Sequence, residues 1–227
     1  MNLLNKINDI KTTIHTAQKK SGYKHRVEIV GVTKTKPFSY IEDSYLAGIR
    51  SIGENRVQEA DEKFGSFQKM PKLKKRFIGH IQSNKIRKCV NIFDSIDSID
   101  SYKKLIKTLK YIDEAEKDFS ILVEVNTSGE LQKSGFSLSQ KESIARCFLD
   151  GGKTVRGLMT VGPNTKDKKI IRQAFRSLRL LKEEICSEYD NIKIEHLSMG
   201  MSGDYGIAVE EGSTMIRVGS FLYGDRN

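Results

Sequence analysis

The chain has 227 residues, of which 37% are hydrophobic, and its formal net charge is +10. No apolar run reaches the roughly 18 residues that a membrane span needs, and the N-terminus lacks the basic start and long apolar stretch of a secretory signal, so we expect a cytoplasmic location. The basic residues accompany neither an RNA-binding aromatic pattern nor a recognition helix, so we interpret the charge as solvated surface and expect no nucleic acid and no membrane as partner.

An amphipathic helix opens the chain, because Leu3, Ile7, Ile10 and Ile14 fall on one face at three-to-four spacing. Short apolar strands then alternate with longer helical patterns along the rest of the sequence. The predicted strands, eight in all, are 28–32, 51–53, 77–79, 92–96, 120–125, 155–159, 194–197 and 215–218.

The helices between these strands carry recognisable signals. Asn55 is a candidate N-cap for a helix over 56–64, and Ser139 with Glu142 forms a candidate capping box before an apolar helical pattern. An apolar stripe over 171–185 predicts a long helix that packs on the sheet.

Cysteines are sparse and odd in number, and no two are separated by only two residues. This usage disfavours a disulfide framework and a zinc site. We therefore expect Cys89, Cys147 and Cys186 to pack as small apolar residues.

Eight alternating strand–helix units predict a parallel sheet with helical crossovers, and eight strands close naturally into a barrel. The expected architecture is an α/β fold, a single (β/α)8 TIM barrel with an extra N-terminal helix, in which residues 1–227 form one domain. A doubly wound open sheet is the alternative, but no glycine-rich nucleotide-binding loop follows the first strand.

Chemistry in such a barrel lies at the carboxyl ends of the strands. Lys34 and Lys36 follow the first strand, and Lys34 is nearer its end. A lysine that points into a barrel mouth loses its proton easily and attacks aldehydes, although spacing alone favours the alternative, a surface lysine in a loop between strand and helix. Asn55 follows the second strand and His80 the third, and both are candidates for the rim of the site.

Two glycine- and hydroxyl-bearing loops follow the seventh and eighth strands, where barrels commonly bind phosphate. Their backbone N–H groups and hydroxyls suit a dianion, whereas the alternative is two tight turns that need glycine. Arg217 lies on the eighth strand and needs an acceptor, either a ring nitrogen of a ligand or the carboxylate of Glu124. The candidate residues in these two loops and strands are Ser198, Met199, Gly200, Ser202, Arg217, Gly219 and Ser220.

Several runs of residues together resemble the pyridoxal phosphate homeostasis protein family. They are ordered along nearly the whole chain, and each is modest alone but specific in combination. The runs are VTKTKP at 32–37, GENRVQE at 53–59, FIGHIQSNK at 77–85, HLSMGMSGD at 196–204 and STMIRVGSFLYG at 213–224.

The resemblance implies a fold like the N-terminal domain of alanine racemase and pyridoxal 5'-phosphate (PLP) as the cofactor. It implies that Lys34 holds PLP as a Schiff base, that Arg217 faces the ring nitrogen and that the adjacent loop binds the phosphate. Family members act in vitamin B6 balance without established turnover. Lys36, Lys85 and Lys133 stay open as second PLP sites.

A racemase of this fold needs an acid/base group on each face of the substrate carbon. This chain ends soon after the eighth strand, so we expect a Schiff base without the second base, in a monomer. We therefore predict a PLP-binding protein without evident catalytic turnover, with PLP-dependent apoenzymes as possible recipients. An amino-acid racemase and a nucleic-acid-binding protein are the alternatives.

Overall fold

The computed structural model describes residues 2–65 and 70–224, and the structural statements below refer to these ranges. Eight parallel strands form a closed ring in which each strand pairs with the next along the chain, and the last strand pairs with the first. A two-residue strand, β6, pairs with β5 outside the ring. The strands are β1 (Glu28–Val32), β2 (Ser51–Glu54), β3 (Lys74–Phe77), β4 (Ser95–Ile99), β5 (Ser120–Asn126), β6 (Phe136–Ser137), β7 (Val155–Met159), β8 (His196–Met201) and β9 (Met215–Val218).

Helices surround this ring, so the predicted (β/α)8 barrel is confirmed. Short 3-10 helices at 83–85, 138–140 and 152–154 precede or follow some of them. None of the described helices is long and apolar enough to cross a membrane. The α-helices are α1 (Leu3–Ser21), α2 (Ser39–Leu46), α3 (Val57–Phe64), α4 (Ile86–Ile92), α5 (Tyr102–Glu114), α6 (Lys141–Gly151), α7 (Lys168–Glu188), α8 (Tyr205–Glu210) and α9 (Ser220–Tyr223).

Helix α1 is the predicted extra helix at the N-terminus. The side chain of Asn2 accepts a hydrogen bond from the N–H of Leu4 and starts the helix, and Gly22 ends it with a φ of 82°. Ile7, Ile10 and Ile14 are buried against α8, α9 and β9. Each buried isoleucine contributes on the order of 2 kcal/mol, which fixes α1 on the side of the ring where β1 meets β9.

Three predicted strands lie at the wrong place in the sequence. The structure has β3 at 74–77 rather than 77–79, β4 at 95–99 rather than 92–96, and β8 at 196–201 rather than 194–197. Arg76 on β3 and Asp97 on β4 point into the barrel, where they form an ion pair of 3.3 Å. Because a charged side chain faces inward on β3 and on β4, the apolar alternation that marks a strand is lost in these two.

Both capping predictions were wrong. The N-cap of α3 is Arg56, not Asn55, and it makes no side-chain capping bond. The capping box before α6 is formed by Ser137 and Gln140, because a 3-10 turn precedes the α-helix and moves the first unpaired N–H groups upstream of Ser139.

The remaining apolar predictions hold. The stripe over 171–185 is the buried face of α7. Cys89 and Cys147 are buried, and Cys186 is partly buried. Burial raises the pKa of the Cys147 thiol to about 12, so this thiol stays protonated and packs as an apolar group.

Candidate functional site

A cavity of about 680 Å³ opens at the carboxyl ends of β1, β8 and β9. Because β1 and β9 are neighbours in register, with Gly31 opposite Val218, the loops that follow them lie side by side. The predicted residues that line the cavity are Lys34, Ser202, Arg217, Gly219 and Ser220. Residues distant in sequence are therefore brought together as the strand-end rule requires.

Arg217 is almost fully buried at the floor of this cavity. Its guanidinium donates to the carbonyl and the hydroxyl of Ser198 and to the carbonyl of Thr160, each at 2.8 Å. Burial lowers the pKa of Arg217, and the nearby carboxylates of Asp97 and Glu124 oppose that effect. Since arginine keeps its proton even in such surroundings, the group remains a cation and a pure donor.

The alternative pairing of Arg217 with Glu124 is not among the ion pairs of the described residues. Glu124 is buried on β5 and acts on Arg217 only through its longer-range field. Burial, followed by repulsion from Asp100, raises the pKa of Glu124 to about 7. The barrel mouth therefore holds a carboxyl group that changes its charge near neutral pH.

The two glycine-bearing loops meet at Ser202. Its hydroxyl accepts hydrogen bonds from the N–H groups of Gly219 (3.4 Å) and Phe221 (3.3 Å). A Cβ at Gly203 or Gly224 would meet no atom within 4 Å, so the wall of the cavity is open there. The hydroxyl-bearing residues Ser202 and Ser220 line the cavity beside this open space, and hydroxyl donors suit an anionic ligand.

Four predicted residues do not line the cavity. Ser198 and Met199 are fully buried, and Ser198 contributes by holding Arg217. Gly200 has a φ of 97° and packs against α8, where a Cβ would lie 2.6 Å from that of Ala208. Asn55 lines a different cavity of about 270 Å³ together with His80, and its buried Oδ1 has no hydrogen-bond partner. Their direct contact with a ligand stays a prediction.

The apolar residues that line the cavity were not predicted from the sequence. Ile78 and Val161 lie just beyond the ends of β3 and β7, and Met201 ends β8. The strand-end rule places these positions at the mouth, but an apolar residue there carries no chemical signal. Tyr223 also lines the cavity, and in the sequence it stands only within the run at 213–224 that carries the family resemblance.

Taken together, the cavity offers an amine on Lys34, a buried cation on Arg217 and a cluster of hydroxyl and backbone N–H donors. An amine attacks an aldehyde, a guanidinium donates to a neutral ring nitrogen, and converging N–H groups bind a dianion. The donor set therefore fits an aldehyde on a heterocyclic ring that also carries a phosphate.

Comparison with known proteins agrees with this chemistry. The family model "Alanine racemase, N-terminal domain" matches residues 6–227. A protein of Vibrio cholerae named pyridoxal phosphate homeostasis protein is 36% identical over 226 residues, which cover 97% of this chain and 95% of the relative. A human protein of the same name is 35% identical over 219 residues and covers 88% of this chain and 76% of its own length.

Solved structures show the same fold. PipY of Synechococcus elongatus, with PLP bound, superposes with a TM-score of 0.83 at 28% identity and covers 98% of this chain and all of its own (100%). An alanine racemase of Clostridium difficile matches with a TM-score of 0.72 at 15% identity, over 99% of this chain and 56% of the racemase. At that identity the racemase shares the barrel, and the likeness shows nothing about activity.

Proposed function

Because the chain belongs to the family of pyridoxal phosphate homeostasis proteins, we propose that it binds PLP and serves the homeostasis of this cofactor. The meeting of Lys34, Arg217 and the loops after β8 and β9 in one cavity is the observation that carries the proposal. When bound, PLP supplies an aldehyde, a pyridine nitrogen and a phosphate, and this chain has one group suited to each.

Lys34 is the attachment point: its amine would condense with the aldehyde carbon of PLP, with release of water, to give a Schiff base. Arg217 faces the pyridine nitrogen as a donor. Ser202, Gly219 and Ser220 line the cavity together and hold the phosphate, for which Ser202 and Ser220 supply hydroxyl donors. Three independent contacts explain how a small ligand is held in a mouth that is open to solvent.

We also propose that the bound state is not a catalytic one. Tyr223 lines the cavity, but its hydroxyl bonds to Ser44 at 2.7 Å, and burial raises the pKa of Tyr223 to about 12. A phenol that keeps its proton at neutral pH is a poor base. Lys36 is a second amine at the cavity, but its Nζ lies over the Tyr40 ring, 5.6 Å from the ring centre, and this cation–π contact holds it there. Arg217 cannot protonate the ring nitrogen, which weakens PLP as an electron acceptor.

We further propose that the carrier passes its cargo to PLP-dependent apoenzymes and that it acts as a monomer. Mixing the loaded protein with a PLP-dependent apoenzyme tests the first point, and light scattering of the pure protein tests the second. Activation of the apoenzyme no faster than with free PLP, or a dimeric mass, contradicts the respective point.

Reduction of the PLP-loaded protein with borohydride, followed by peptide mass mapping, tests the attachment. We expect the pyridoxyl group on Lys34 in the wild type and in a Lys36→Met variant, and its loss from that peptide position in Lys34→Met. A label on another lysine of the wild type, with Lys34 unmodified, contradicts the proposal.

Incubation of the loaded protein with single-enantiomer amino acids tests the lack of turnover. Inversion at the rate given by free PLP agrees with a carrier. Sustained inversion above that rate, lost in Lys34→Met, identifies a racemase instead.

A further inference from the structure

The segment that carries Lys34 is a tight turn. The carbonyl of Thr33 accepts a hydrogen bond from the N–H of Lys36 at 3.0 Å, so Lys34 and Thr35 form the two central positions. Thr35 has a φ of 64°, in the left-handed region that a β-branched residue rarely adopts. A turn with a positive φ at its third position has its central peptide plane flipped, and glycine normally fills that position. This turn therefore needs support from outside.

A charged cluster on the neighbouring β2–α3 unit lies against the turn. Glu54 ends β2, and Glu59 and Lys63 lie one helical turn apart on α3. The Lys63 ammonium lies 2.7 Å from Glu54 Oε1 and 3.1 Å from Glu59 Oε1. The side chain of Glu54 is fully buried, and that of Lys63 is only 7% exposed.

This cluster bonds to both neighbours of Lys34. Thr33 Oγ1 donates to Glu54 Oε1 at 2.7 Å, and Lys63 donates to the Thr33 carbonyl at 3.0 Å. On the other side, the N–H of Thr35 donates to Glu59 Oε1 at 2.5 Å. That N–H belongs to the peptide that joins Lys34 to Thr35, so Glu59 fixes the flipped plane directly after Lys34.

Stability alone does not explain a cluster of this kind. Buried ion pairs lose most of their attraction to desolvation, and apolar residues in their place are often as stable. Here the second oxygen of Glu54, Oε2, is buried without a hydrogen-bond partner, which adds a further cost. The cluster therefore carries a cost in free energy. Apart from the ion pairs within it, its side chains form hydrogen bonds to Thr33 and Thr35, the two residues that flank Lys34.

We propose that Glu54, Glu59 and Lys63 are positioning residues for Lys34. They hold the turn so that the Lys34 amine enters the cavity at the place where the aldehyde is bound. This inference rests on the proposed function, since it assumes that Lys34 is the attachment point. The cluster touches the turn and not the cofactor, so its loss weakens the covalent linkage and spares the phosphate and ring contacts.

Two ligands separate these effects. PLP reports all contacts, whereas pyridoxine 5'-phosphate lacks the aldehyde and reports only the phosphate and ring contacts. The test variant is Glu59→Met, which removes the acceptor for the Thr35 N–H, and Glu62→Met on the exposed side of the same helix is the matched control. Glu59→Gln keeps an acceptor oxygen and serves as the conservative rescue.

We expect Glu59→Met to weaken PLP binding by about tenfold, the size of one lost charge-assisted hydrogen bond. Binding of pyridoxine 5'-phosphate stays within about twofold of the wild type, as the phosphate and ring contacts are kept. Glu62→Met and Glu59→Gln should bind both ligands nearly as the wild type does. Equal loss for both ligands in Glu59→Met, or no loss for either, overturns the inference.

A second variant covers the case in which Glu59→Met does not fold. Thr33→Val removes the hydroxyl that donates to Glu54 at nearly constant volume, and the same PLP-selective loss is expected. No selectivity in that variant also overturns the inference. A wild-type protein that takes up no PLP on Lys34 contradicts the proposed function instead, so the two failures are distinguishable.

Discussion

One guanidinium nitrogen of Arg217 donates to both the carbonyl and the hydroxyl of Ser198, each at 2.8 Å. The other terminal nitrogen donates to the carbonyl of Thr160, the residue that directly follows β7. The planar fork of arginine thus links β7, β8 and β9 beneath the cavity. An ammonium group has no such fixed fork, which makes this position a sharp test of geometry.

Arg217→Lys should lower the free energy of unfolding by about 2–3 kcal/mol, because at least one buried carbonyl loses its donor. Ser198→Ala should cost only about 1 kcal/mol, since the Arg217 guanidinium keeps both carbonyl acceptors. Urea denaturation of both variants measures the difference. Equal losses would show that the hydroxyl, and not the fork, holds the guanidinium.

Gly31→Ala should destabilise the barrel by about 2 kcal/mol, because the added Cβ would overlap the Tyr223 hydroxyl. Tyr223→Phe removes that hydroxyl and leaves the nearest ring carbon at 3.5 Å, an ordinary contact. In the double variant most of the loss caused by Gly31→Ala should therefore disappear. Thermal unfolding of the two single variants and the double variant checks this, and strictly additive losses would contradict it.

Glu124→Gln should change the pH dependence of stability. With a pKa of about 7 in the folded protein and about 4.5 when unfolded, Glu124 binds more protons in the folded state between these values. Stability from this group is therefore present at acid pH and is lost as the pH rises through 7. The variant should gain up to about 3 kcal/mol at about pH 8 and almost nothing at about pH 4.5.

Urea denaturation at both pH values measures the effect, with Glu62→Gln on the exposed side of α3 as the control for lost charge. A gain of the same size at both pH values would place the effect outside the titration of Glu124.

Arg76→Met should cost about 3–5 kcal/mol, because it leaves the fully buried Asp97 carboxylate without its cation. Adding Asp97→Asn removes that uncompensated charge and should recover a large part of the loss. Lys74→Met, two residues earlier on the same strand but exposed, should lie within about 0.5 kcal/mol of the wild type. Failure of Asp97→Asn to rescue would mean that Glu28, the second partner of Arg76, dominates.

These residues also mark how far sequence reasoning extends. Strands β1, β7 and β9 were predicted at their observed bounds, because their apolar pattern is local. Strands β3 and β4 were misplaced because Arg76 and Asp97 are acceptable inside the barrel only as a pair. Nothing within five residues of either reveals its partner, so a local pattern cannot show that these charges face inward.

The candidate site likewise has a part that the sequence predicted and a part that it did not. The meeting of Lys34, Arg217 and the two loops in one cavity was predicted from the rule that strand ends converge, helped by the family resemblance. The cluster around Glu54 was not found, since it depends on a hydrogen bond from Thr33 and on the backbone conformation of Thr35. Those are properties of three-dimensional contact and of a single torsion angle, neither of which a residue pattern records.

The pairing of β1 with β9 links formation of the cavity to folding of the barrel. Lys34 follows β1, whereas Arg217 lies on β9 and Gly219 directly follows it, so these residues are far apart in the sequence. The pairing of the first and last strands has the longest sequence separation in the ring, and such contacts are slow to form. Lys34 and the residues at the carboxyl end of β9 therefore come to line one cavity only when this last pairing has formed, so the cavity is completed by closure of the ring.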